Sequence, residues 1–121
     1  MTELTDLGIA AIRNGVRDGD FSAREVAEAF NAAVAAAKPL NAFLVETPEH
    51  ALAAADAADK ARAAGEVLKP MAGVPIGMKD LFCTKGVPTT AASHILEGFT
   101  PEYESTVSQN LWNAGAGMLG K

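Results

Sequence analysis

The chain is poor in the features that announce several common functions. It has a single cysteine, Cys83, in 121 residues, which excludes an internal disulfide and a cysteine-built zinc site and suits a reducing compartment. Its 10 basic residues are outnumbered by 15 acidic ones, for a formal net charge of −5. The basic residues are scattered singly, with no cluster or helical stripe to follow a phosphate backbone, so direct nucleic-acid binding by this segment is excluded. No apolar run approaches the roughly 20 residues of a membrane span. The opening "MTELTDLGIAAIRNG" lacks the basic region and apolar run of a signal peptide. Together these absences predict a cytoplasmic protein with no membrane association.

What is present is a folding composition. Hydrophobic residues make up 49% and charged residues 21%, enough for a core and too apolar for general disorder. Leu4, Leu7, Ile9, Ala11, Ile12 and Val16 recur at helical spacing before a Gly/Asp cluster, which predicts a short amphipathic helix and a turn. A long helix is predicted to start at Ser22 and end at Pro39. Ser22 and Glu25 have capping-box spacing, and Phe21 and Val26 are placed for a hydrophobic staple. "NAFLVE" reads as a brief strand. Thr47 and Pro48 then supply an N-cap and first-turn proline for an alanine-rich third helix that stops near Gly65. No heptad or fixed repeat persists, so the alanines serve close helix packing rather than a coiled coil.

From Met71 onward glycine, proline, threonine and valine replace alanine. A strand-like "AGVPIGMKD" leads through the loop "TKGVPTTAAS" to a helix capped by Ser105 and carrying Val107 and Leu111, and then to a second apolar run. Strand, helix, strand is the crossover unit of an α/β protein. The expected organisation is a helical segment over 1–70 followed by the start of a sheet domain over 71–121. An apolar strand ending at Lys121 without a closing partner is an aggregation hazard. The expectation is therefore the front portion of a longer protein, its sheet incomplete.

Lys79 is the residue that asks for an explanation, because it follows an apolar strand where a charge is costly to bury. By strand alternation Val74, Ile76 and Met78 share one face, and Pro75, Gly77 and Lys79 the other. Two glycines and a proline leave room for another backbone. A partly desolvated ammonium also releases its proton more readily, as a lysine base requires. Spacing equally allows a structural lysine that reaches water or pairs with Asp80, and both readings stay open at this point.

The remaining candidates are weaker. Ser93 and Ser105 lie in no nucleophile elbow or Ser/Gly-rich loop, and Ser105 is well placed as a helix cap. Cys83 has no activating partner and reads as a small buried side chain. His50 and His94 are too far apart for a metal site and read as surface residues. Tyr103 and Trp112 read as packing groups. "TKGVPTT", Thr84 to Thr90, lacks the order of a phosphate-binding loop.

The stretch "GVPIGMKDLFCTKGVPTTAASHILEGFTPEYESTVSQNLWNAGAGMLGK", Gly73 to Lys121, resembles the amidase signature family. "CTKGVPTTAAS", "ILEGF" and "YESTV" bring it nearest to the branch formed by the A subunits of tRNA-dependent amidotransferases. That resemblance implies an α/β fold in which N-terminal helices pack on a mixed sheet. It also implies a Ser, cis-Ser, Lys triad, with Lys79 matching the catalytic base and both serines falling beyond Lys121. Glutamine would be hydrolysed through an acyl-enzyme. Its ammonia would pass to partner subunits of B and C type, where ATP and Mg serve amidation of misacylated Glu-tRNA(Gln) or Asp-tRNA(Asn). On this reading the 121 residues hold no cofactor or metal and are inactive alone. The competing expectations are a stand-alone amidase and a non-catalytic, partner-binding module.

Overall fold

The computed structural model describes residues 2–121. A 3-10 turn at Leu4–Asp6 precedes α1 (Ile9–Asp18), α2 (Ala23–Ala36) and α3 (Pro48–Ala63). The second half contributes β1 (Pro75–Gly77), α4 (Thr106–Asn113) and β2 (Gly117–Gly120). The two strands pair in parallel, with Pro75 opposite Gly117, Ile76 opposite Met118 and Gly77 opposite Gly120. The sequence-based expectation of an α/β unit is met.

Local chemistry explains where the helices begin. At α2 the Ser22 hydroxyl accepts from the Glu25 amide, and the Glu25 carboxylate accepts from the Ser22 amide at 2.7 Å. The bonds from Ser22 hold the Glu25 carboxyl below its usual range. The helix is capped a second time from α3, where Asp59 accepts from the amides of Ala23 (2.8 Å) and Arg24 (3.0 Å). Four amides of any helix start lack an internal partner, and a carboxylate there also meets the positive end of the helix dipole.

The core draws on both halves of the chain. Ile12, Val16, Ala23, Val26 and Ala27 form one core cluster with Ala51, Ala55 and Ala58 of α3, Val74 just before β1 and Leu119 of β2. The alanines allow this closeness: a Cβ on Gly117 would stand 3.0 Å from the Ala51 Cα. Val74 and Met78 are buried while Gly77 and Lys79 are exposed, as the expected alternation has it, but within β1 Pro75 and Ile76 are both partly buried and do not alternate.

Several expectations need correcting. "NAFLVE" forms no regular strand and contributes one antiparallel bridge, Glu46 to Gly120. The segment crosses the end of β2, where the Leu44 and Val45 amides donate to the Lys121 carbonyl and the Thr47 amide to that of Leu119. Pro48 has no amide with which to extend the ladder. Thr47 occupies the N-cap position of α3 without using its side chain there, because its hydroxyl donates to the Met118 carbonyl at 2.9 Å. α2 ends at Ala36, and Pro39 lies in the 3-10 turn Lys38–Leu40. The proline ring disfavours helical geometry at the preceding residue. In α4 Val107 is exposed, and the buried residue is Ser108. The Ser108 hydroxyl lies 2.9 Å from the Cys83 carbonyl, so the helix turns a polar residue toward the loop after Lys79.

Candidate active site

Lys79 lies two residues beyond β1, exposed between the buried Met78 and Asp80. The Met78 amide donates to the Gly120 carbonyl at 2.9 Å, and the Lys79 carbonyl accepts from the Phe82 amide at 3.1 Å. The backbone is thus pinned on both sides of Lys79. Its ammonium has no hydrogen-bond or ion-pair partner among the described residues. A groove of about 360 Å³ runs beside it, lined by Phe43, Leu44, Gly77, Met78, Asp80 and Lys121 among others. A second hollow, of about 200 Å³, is walled by Leu44, Leu81, Ala91 and Ala92.

Asp80 does not pair with its neighbour Lys79. Its side chain turns into the interior, 3.5 Å from the ammonium of Lys121. At that distance the contact is an ion pair rather than a full hydrogen bond, and Asp80 Oδ1 has no other partner. Asp80 Oδ2 accepts from the Thr90 hydroxyl at 2.8 Å. The Lys121 ammonium donates to the Phe82 carbonyl at 3.0 Å and to the Thr89 hydroxyl. Burial pushes Lys121 below the usual lysine range, and the nearby Asp80 opposes that shift.

The two lysines therefore have opposite characters. Lys121 continues β2, whose four residues are all buried, while Lys79 lies past the open end of β1 at Gly77. Lys121 donates to two acceptors beside the Asp80 carboxylate and serves as a structural cation. Lys79 is available to a reacting group. Sequence reasoning missed Lys121 and the inward turn of Asp80. A usable signal was present, since "GMK" and "LGK" each place a lysine just past one of two strands expected to pair.

The other candidates are not brought to Lys79. Ser93 caps a 3-10 turn by accepting from the Ile95 amide, and Ser105 caps α4 by accepting from the Ser108 amide. His94 is fully exposed beside Glu97. Three readings change. His50 is half-buried rather than on the surface: its Nδ1 accepts from the Met118 amide at 2.9 Å, and its ring lies 4.5 Å from that of Trp112. Desolvation pushes its pKa down, as fits a neutral ring used as an acceptor. Tyr103 is 59% exposed rather than a core group. Its hydroxyl lies 3.6 Å from the Cys83 thiol, which is half-buried rather than enclosed. "TKGVPTT" is a tight turn closed by a Thr84 to Val87 bridge.

A family model for amidases matches residues 25–121, a span that contains Lys79, Asp80 and Lys121. The chain belongs to the amidase family. Among curated relatives it is 76% identical, over all of its length, to the A subunit of the glutamyl-tRNA(Gln) amidotransferase of Sphingopyxis alaskensis, and 70% identical to that of Rhizorhabdus wittichii. In both cases the chain spans only 24% of the relative's length. Among solved structures, it superposes with a TM-score of 0.89 at 41% identity on a chain from a vestigial complex related to the origins of an s-triazine catabolic enzyme, covering 94% of this chain and 25% of that one. A bacterial aryl acylamidase of the amidase signature family gives 0.84 at 28% identity, covering 94% and 24%. The peptide amidase of Stenotrophomonas maltophilia gives 0.85 at 27%, covering 96% and 24%. Among the described residues, no helix is long and apolar enough to cross a membrane.

Proposed function

We propose that these residues form the N-terminal quarter of the glutaminase subunit of a tRNA-dependent amidotransferase, and that Lys79 is its general base. The observation that carries the reading is the placement of Lys79: an unpartnered ammonium in an open groove, on a backbone pinned at both neighbours. The identities of 70% and above to A subunits of amidotransferases, against 27–28% to an acylamidase and a peptide amidase, favour this branch over a stand-alone amidase.

In this reading Lys79, in its neutral form, takes a proton from a bridging serine, which takes one from a nucleophilic serine. The resulting alkoxide attacks the amide carbon of glutamine. The proton returns to the leaving nitrogen, ammonia departs, and water hydrolyses the γ-glutamyl ester to glutamate. On this reading both serines lie outside these 121 residues, which are expected to be inactive alone. Glutamine is the small-molecule substrate. Misacylated tRNA is bound through partner subunits, in keeping with the scattered basic residues here. Among the described residues no group of three or more His, Cys, Asp or Glu is placed to hold a metal ion. ATP and Mg²⁺ serve the amidation step in a partner subunit, and no step at Lys79 passes through them.

The test is steady-state glutamine hydrolysis by the assembled enzyme with Lys79→Met. A general base contributes about 100- to 10,000-fold, so kcat should fall by that range. Thermal stability should hold within about 0.5 kcal/mol, as for an exposed side chain without partners. Unchanged hydrolysis would overturn the reading.

A further inference from the structure

We propose that buried Asp80 and Lys121 form, with the partly buried Thr90, a clamp that positions Lys79, acting through the backbone and without touching substrate. The inference rests on the reading of Lys79 as the base and extends it to three residues outside the expected triad.

The clamp ties together three stretches that are distant in sequence. Asp80 Oδ2 accepts from both the hydroxyl and the amide of Thr90, at 2.8 and 3.3 Å, while the Asp80 carbonyl accepts from the Ala91 amide at 2.9 Å. The residue after Lys79 is thereby bound three times to the loop ten positions on. Lys121 closes the arrangement from the end of β2. It reaches the Phe82 carbonyl, the Thr89 hydroxyl and Asp80, and so holds the far end of the turn that Lys79 begins.

Burial argues for positioning over simple stability. Asp80 is 9% exposed and Lys121 4%. Taking two charges out of water costs enough that apolar side chains of similar volume often give equal or greater stability. What an apolar pair lacks is direction: it cannot fix the Lys79 turn, the 89–91 loop and the end of β2 to one another through hydrogen bonds. The same loop carries Ala91 and Ala92 with φ of 49° and 56°. Alanine adopts the left-handed region only where its surroundings hold it there, and such strain gathers at functional sites. These two alanines wall the hollow beside Lys79. A proton transfer tolerates little displacement, since an error of about 1 Å can cost on the order of 100-fold in rate.

The test compares Thr90→Val, which loses the hydroxyl bond to Asp80, with Thr90→Ser, which keeps it, for glutamine hydrolysis by the assembled enzyme. Thr90→Val should lower kcat about 10-fold with KM within about 2-fold, and Thr90→Ser should stay within about 2-fold of wild type. Lys121→Met should reproduce the fall in kcat if it assembles; if it does not, the Thr90 pair decides. Equal kcat for Thr90→Val and Thr90→Ser, with Lys79→Met inactive, would overturn the clamp and leave the base standing. A fully active Lys79→Met would instead overturn the underlying reading.

Discussion

Gly120→Ala is the substitution to which the ground beneath Lys79 should be most sensitive. Gly120 stands opposite Gly77 across the parallel pair, and the ring of Phe43 lies over both. A Cβ on Gly120 would meet the Val45 carbonyl at 2.5 Å and the Phe43 ring at 2.9 Å. The first obstacle is backbone, tied down by the Lys121 amide, which donates to that same carbonyl at 2.8 Å. A Cβ on Gly77 would meet only the Phe43 ring, at 3.3 Å, and a half-buried ring can move aside. Overpacking of the Gly120 kind costs about 1–3 kcal/mol. The Gly120 carbonyl receives the Met78 amide, so the loss should appear there as faster exchange. With tenfold per about 1.4 kcal/mol, Met78 protection should drop by about 5- to 150-fold. Amide hydrogen exchange followed by mass spectrometry or NMR, on Gly120→Ala and Gly77→Ala side by side, gives the comparison. Equal protection of Met78 in the two variants would refute the packing argument.

Two further outcomes follow from the structure. Asp59→Ala should destabilise the protein by about 1–2 kcal/mol in chemical denaturation, because the buried Ala23 amide and its neighbour at Arg24 lose their acceptor while the Ser22 box remains. His50, whose pKa is lowered by burial, should make stability fall as the pH is lowered. Below about pH 6.5 the unfolded chain takes up a proton that the folded ring refuses, so the folded state loses ground until its own lower pKa is passed. The denaturation midpoint measured at neutral and mildly acidic pH should show this slope, and His50→Leu should flatten it.

Much of the fold was legible because it is written in short-range chemistry. Ser22 with Glu25 and Ser105 before α4 are local signals that the structure follows, and the alternation from Val74 to Lys79 is kept at Gly77, Met78 and Lys79 but not at Pro75 and Ile76. What failed was decided by contacts between distant segments. "NAFLVE" has strand-like residues, yet only its Leu44 and Val45 amides reach the second strand, both at the Lys121 carbonyl just past its end, and a single bridge forms. Thr47 has the right type and place for a cap, but its hydroxyl is drawn to the Met118 carbonyl 71 residues away. Val107 has helical spacing, but Ser108 faces inward because the Cys83 carbonyl is there to meet it. At the site, Lys79 could be singled out from its strand and its small neighbours. The inward turn of Asp80 could not, since its partners arrive from the Thr90 loop and from Lys121. The two lysines, each just past a strand, differ because β2 is buried along its whole length while β1 ends open at Gly77, which packing between distant segments decides.

The most direct test of the central claim is the first chemical step. The assembled enzyme is mixed with glutamine, quenched within a single turnover, and the glutamyl adduct on its serine is quantified by intact mass for the wild type and for Lys79→Met. If Lys79 is the base, the wild type accumulates the adduct and the variant forms it slower by about 100- to 10,000-fold. Adduct formation at the wild-type rate in Lys79→Met would contradict the account.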